Sequence, residues 1–124
     1  MEKIFTIIGA ILMIIGVGAG AFGAHGLSSY FERFPNLAGT YETAVRYHVY
    51  HALGILFLSW AAAKWPGTLT TWAGYLLLAG VIIFSGSLYL LVLTRQSWLG
   101  AITPIGGGAF IAGWACLLLA VWRS

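Results

Sequence analysis

The stretch YETAVRYHVYHALG, Tyr41 to Gly54, carries one acid, one arginine, two histidines and three tyrosines inside an otherwise apolar run. His48 and His51 lie three residues apart, so they share a helix face, and with His25 upstream they form a candidate imidazole ligand set for a metal or haem. Against that chemistry, the sequence has no cysteine pair, no acid-rich cluster and no HExxH. Glu42 precedes Arg46 by four residues, the favourable order for an intrahelical ion pair at a membrane edge. Hydroxyls at Ser85, Ser87, Tyr89 and Thr103 are candidate partners for the histidines. No GxSxG elbow accompanies the serines, and the glycines of TPIGGGAF lack the lysine and hydroxyl of a phosphate loop.

The elements that position these groups follow from composition. With 60% hydrophobic and only 7% charged residues, the chain has too little polar surface to cover a water-soluble globule. A mean hydropathy of +0.93 points the same way, to a membrane protein. Four apolar runs are expected as spans, at residues 3–24, 41–63, 70–93 and 104–122, each covering roughly 28 to 36 Å at a helical rise. They account for nearly all of the 124 residues, so a single integral membrane domain is expected. The expected fold is all-α, an antiparallel four-transmembrane-helix bundle joined by short connections. A cleavable signal is the weaker reading of the first run, because its apolar part is long and Glu2 dilutes the basic start.

The first connection contains YFERF, where Phe31 and Phe34 share a side. Ser28 or Ser29 is the expected N-cap and Pro35 the stop of a short interfacial helix, the alternative being an ordered loop packed over the bundle. Thr103 followed by Pro104 reads as an N-cap and first helical residue. The net charge of +3 is what span ends select and implies no nucleic-acid partner. The lone Cys116 offers neither a disulfide nor a zinc pair.

On a helix, Glu42, Arg46, Val49 and Leu53 fall on one side, whereas Ala44, His48, His51 and Ile55 fall nearly opposite. Counted from Tyr41, His48 lies roughly 10 Å and His51 roughly 15 Å along the axis, too deep for an imidazole to reach water. Each must therefore be satisfied by other helices or by a ligand. Antiparallel packing brings the end of span one, the start of two, the end of three and the start of four to the same side. That side collects a glycine stripe (Gly16, Gly20, Gly23), the FSGSLY segment and the triple glycine. A pocket among His25, His51, Ser87 and Gly106 is expected there, with Glu42, Arg46, Tyr47 and Gly107 nearby and Gly86 packing against the Gly106 segment.

The motifs GAFGAHGL, YHVYHALG, FSGSLYLL and ITPIGG, in that order over essentially the whole chain, resemble domain-of-unknown-function family 423. The resemblance implies a multi-pass membrane protein, here of a bacterial inner membrane, with four helices and no settled activity. Its motif positions fall on His25, Tyr47, His51, Ser85, Gly86, Ser87, Thr103, Pro104 and Gly106. Arg95 departs from the pattern, which has a small residue, often glycine, after the threonine.

The function expected from these residues is non-enzymatic, with no cofactor. A polar layer fixes helix register and forms a docking or small-ligand pocket for a lipid, a small molecule or a membrane-protein partner, and oligomers are compatible with the glycine stripe. The alternatives are a transporter or channel component, and a metal or haem protein ligated by His25, His48 and His51.

Overall fold

A computed structural model describes residues 1–124, and the chain is helical almost throughout, with no strand. Helix α1 is Glu2–His25, α2 is Ser28–Arg33 and α3 is Pro35–Lys64. Helix α4 is Thr68–Thr94, with a π-helical stretch at Val81–Ser85. A 3₁₀ turn at Ser97–Ala101 then leads into α5, Thr103–Trp122.

Three helical stretches are long and apolar enough to cross a membrane: Glu2–His25, Thr68–Thr94 and Ser97–Trp122. Helix α3 has the length, at 30 residues, but Glu42, Arg46, His48 and His51 dilute its first half, and it is not among the three. It starts at Pro35 rather than Tyr41. Proline favours the first helical turn, where its missing N–H is no loss, so the residue that ends α2 also opens α3.

Close contacts fix the direction of each pair. Gly9 meets Leu56 and the Ala52 carbonyl, Gly16 meets Val49 and His48, and Gly23 meets Tyr41, so α1 and α3 run antiparallel. Gly80 against Phe110, Gly106 against Phe84 and Gly113 against Leu77 give the same relation for α4 and α5. Between α3 and α4, Gly54 faces Leu77 while Ser85 reaches Ala44, again antiparallel. The larger apolar core joins Phe5, Ile55, Leu58, Ala73, Leu77, Val81 and Phe110. A smaller one, around Leu27, Leu37, Tyr41 and Val92, lies under α2.

Two expected caps are corrected. Leu27 occupies the N-cap of α2, and the Ser28 hydroxyl instead donates to the His25 carbonyl at 2.9 Å. Ile102 occupies the N-cap of α5, and Thr103 is already helical. Its hydroxyl turns to Ser87 across the α4–α5 seam, 2.6 Å away, where a hydroxyl needs a partner more than an already part-satisfied helix end does. Helix α2 is held down by the Tyr30 hydroxyl, which donates to the Val92 carbonyl at 2.6 Å, and by packing of Phe31 on Tyr41.

Candidate functional site

The inward face of α3 is Ala44, His48, His51 and Ile55, all buried, as the helical period requires. Glu42 and Arg46 lie on the outer face and form an ion pair of 2.6 Å, with both side chains largely exposed.

His48 bridges three helices. Its Nε2 lies 2.8 Å from the Leu12 carbonyl of α1, and its Nδ1 lies 2.8 Å from the Tyr89 hydroxyl of α4. A carbonyl only accepts, so Nε2 carries the proton, and in the neutral ring Nδ1 is the acceptor for the Tyr89 hydroxyl. The Leu12 carbonyl already belongs to the α1 ladder, and its second lone pair is reachable because residue 16 is glycine. In a helix the side chain at i+4 leans back over the carbonyl of residue i, and Gly16 leaves that carbonyl bare. A methyl there would stand 2.9 Å from Val49 and 3.4 Å from His48. The arrangement recurs one heptad along: the Tyr41 hydroxyl donates to the Ala19 carbonyl, uncovered by Gly23.

His51 serves a different seam. Its Nδ1–H donates to the Tyr47 carbonyl one turn back at 2.8 Å, and its Nε2 accepts from the Trp114 indole N–H of α5 at 3.1 Å. The ring stacks on Phe110, 3.6 Å between centroids. Tyr47 keeps an exposed ring that packs against Phe84. Ser85 donates to the Ala44 carbonyl at 2.8 Å. Ser87 donates to the Phe84 carbonyl at 2.9 Å, which leaves Thr103 as the donor to Ser87. No buried side-chain nitrogen or oxygen is without a partner.

These contacts separate residues that the sequence suggested would converge. His25 sits exposed at the end of α1, apart from His48 and His51, whose lone pairs are already engaged. No three His, Cys, Asp or Glu side chains gather as a metal-ligand set, so the three-histidine site is not formed. The expected pocket among His25, His51, Ser87 and Gly106 is likewise not formed: His51 is covered by Phe110 and Trp114, and Ser87 is tied to Thr103. Gly86 is not a packing glycine, since a methyl on it would meet nothing. Gly106 packs instead on the backbone of Phe84, which belongs to the π-helical stretch. Gly107 and Gly20 are looser, with nearest neighbours at 3.9 Å and 3.6 Å.

Sequence reasoning passed over Gly9 and Trp114. Gly9, Gly16 and Gly23 repeat every seven residues, which was a visible signal for a helix seam. The Trp114 indole N–H faces other helices and therefore needs an acceptor, which His51 supplies.

A groove of about 410 Å³ opens beside this network, between the end of α1 and the start of α3. Gly20, Gly23, Tyr41 and Val45 form its floor and walls, with Glu42 and Arg46 at its edge. A second groove of about 370 Å³, more apolar, lies on the other flank of α1 against Phe22, Tyr89 and Leu93. Tyr41 contributes to both.

A helical chain with long apolar helices, a seven-residue glycine seam and this polar layer belongs to the family described as "Protein of unknown function (DUF423)", whose profile matches residues 19–107. The chain is 48% identical over 121 residues to the UPF0382 membrane protein YwdK of Bacillus subtilis (strain 168), covering 95% of each chain. It is 45% identical to a UPF0382 membrane protein of Staphylococcus haemolyticus (strain JCSC1435) and 44% identical to one of Staphylococcus aureus (strain bovine RF122 / ET3-1). Each of these two matches covers 98% of this chain and 97% of the relative. No solved structure matches the chain.

Proposed function

We propose that this chain is a non-enzymatic protein of the cell membrane that crosses the bilayer four times, with α2 lying at the interface. Its polar layer fixes helix register so as to shape a groove for a small amphipathic ligand or lipid. Three apolar helices and relatives named as membrane proteins support the membrane placement. Helix α3 is the fourth span: its buried histidines are satisfied within the protein, its outer face offers Leu53, Phe57 and Trp60, and Arg46 is paired with Glu42.

The observation that carries the ligand reading is the groove of about 410 Å³ at Gly20 and Gly23. It is apolar along Val45 and Tyr41 and charged only at its rim, by Glu42 and Arg46, which suits a molecule with an apolar body and a polar end. The test is to purify the protein in mild detergent and identify co-purifying small molecules by mass spectrometry, beside Gly20→Leu. The nearest atom to a methyl at Gly20 is 3.6 Å away, so the leucine Cβ is accommodated and its branch extends into the groove that Gly20 lines. Loss of a bound amphiphile with unchanged thermal stability is the expected result. Identical bound molecules in both proteins would refute the reading.

A further inference from the structure

The geometry points to a second site, for the phosphate of an anionic phospholipid, built from Arg95 and Arg33 around the ring of Phe34. It rests on the membrane placement proposed above, and not on the groove. The Arg95 guanidinium stands 4.7 Å from the Phe34 ring centroid and that of Arg33 stands 5.3 Å from it. Cation–π contact positions both charges without neutralising either. Neither pairs with a carboxylate, since the only ion pair in the chain is Glu42–Arg46. The Arg95 guanidinium, unneutralised beside a hollow, is a recognition element for a phosphate, which accepts from the planar fork, and Arg33 adds a second positive charge at the same ring.

Backbone strain singles out the same residue. Arg95 is the one non-glycine residue with positive φ, at 59°, ending α4 in the left-handed conformation that glycine adopts freely and side chains resist. A side chain kept at such a position invites a functional reason, and here it delivers its charge over Phe34. Beside it lies a hollow of about 210 Å³ lined by Phe34, Asn36, Leu37, Leu91, Arg95 and Ser97. Asn36 and Ser97 supply further donors. The hollow sits where α4 leaves its apolar stretch, next to the exposed Trp98, a residue typical of head-group depth. Leu37 and Leu91, which line the hollow, offer an apolar surface beside the charged end. These apolar neighbours favour a lipid head group over free phosphate as the occupant.

The experiment uses the full chain in nanodiscs of phosphatidylcholine containing a minor fraction of phosphatidylglycerol, with lipid retained after extraction counted by native mass spectrometry. Incorporation into pure phosphatidylcholine discs tests the membrane placement; head-group preference tests the site. The wild type is expected to enrich phosphatidylglycerol over phosphatidylcholine. Arg95→Gly, which suits the left-handed backbone and so preserves the turn, and Arg33→Gln are each expected to reduce that enrichment about fivefold. The double variant should show none. Enrichment equal in wild type and double variant, or absent from the wild type, overturns the site. Stabilisation of detergent-solubilised protein by inorganic phosphate equal to that by phosphatidylglycerol overturns the lipid as its ligand.

Discussion

His48 donates to the main-chain carbonyl of Leu12, 2.8 Å away on another helix, through the gap left by the absent side chain of Gly16. One missing methyl thus joins helix packing to polar satisfaction. Close approach lets α1 and α3 pack tightly, and the same approach supplies the acceptor that a deep imidazole requires. Filling that gap should be costly. Gly16→Ala is expected to destabilise the protein by about 1–3 kcal/mol in reversible detergent unfolding, because the methyl must displace Val49 and crowd His48. Gly18→Ala on the open side of α1, where nothing lies within 4 Å, should be neutral or slightly stabilising.

The hydrogen bond between His48 and Tyr89 spans α3 and α4, and its strength is measurable by a double-mutant cycle. Buried polar pairs between membrane helices contribute about 0.6 kcal/mol on average, with a maximum near 1.7. A coupling energy in the upper part of that range is expected for His48→Leu with Tyr89→Phe, since His48 holds a second partner that fixes its ring. Zero coupling would mean that the two groups do not bond in the folded protein.

Trp114 and His51 should behave as one unit. Trp114→Phe keeps an aromatic ring beside Phe110 but strands the His51 Nε2 lone pair, an expected loss of about 1–3 kcal/mol. His51→Leu removes the acceptor and strands the indole. The double variant should be less destabilised than the sum of the two singles.

Two glycines of neighbouring motifs should respond in opposite ways. Gly106→Ala places a methyl on the Phe84 main chain, which cannot rotate aside, so poor folding or a large fall in unfolding temperature is expected. Gly86→Ala meets open space and should be tolerated. Parallel thermal unfolding of the two variants in one detergent checks the contrast.

The sequence carried the helical period, and therefore the inward face of α3. Ala44, His48, His51 and Ile55 are spaced as a helix dictates, and burying four such positions together needs no knowledge of their neighbours. Partner identity was a different matter. The acceptor for His48 is a backbone carbonyl, which has no letter in the sequence, and only the glycine four residues beyond Leu12 betrays it. His25 shares its residue type with the other two but sits at a helix end, where type alone says nothing about direction. The Thr103 hydroxyl had two local uses, capping its own helix or meeting Ser87, and tertiary packing decided for the second. Most of α3 was visible as an apolar run, yet its polar half lies closer to the boundary between spanning and soluble helices than any motif disclosed.

The π-helical stretch at Val81–Ser85 amounts to one residue inserted into an otherwise regular helix. Deleting a single residue from it would turn every later side chain of α4 by about 100° relative to the earlier ones. Tyr89 would swing away from its imidazole and Ser87 away from its threonine while Leu77 and Ala73 kept their places. Length in this segment is consequently under tighter constraint than residue identity: substitution of the exposed Ile82 is absorbable, whereas an indel of one codon would uncouple the two halves of the molecule.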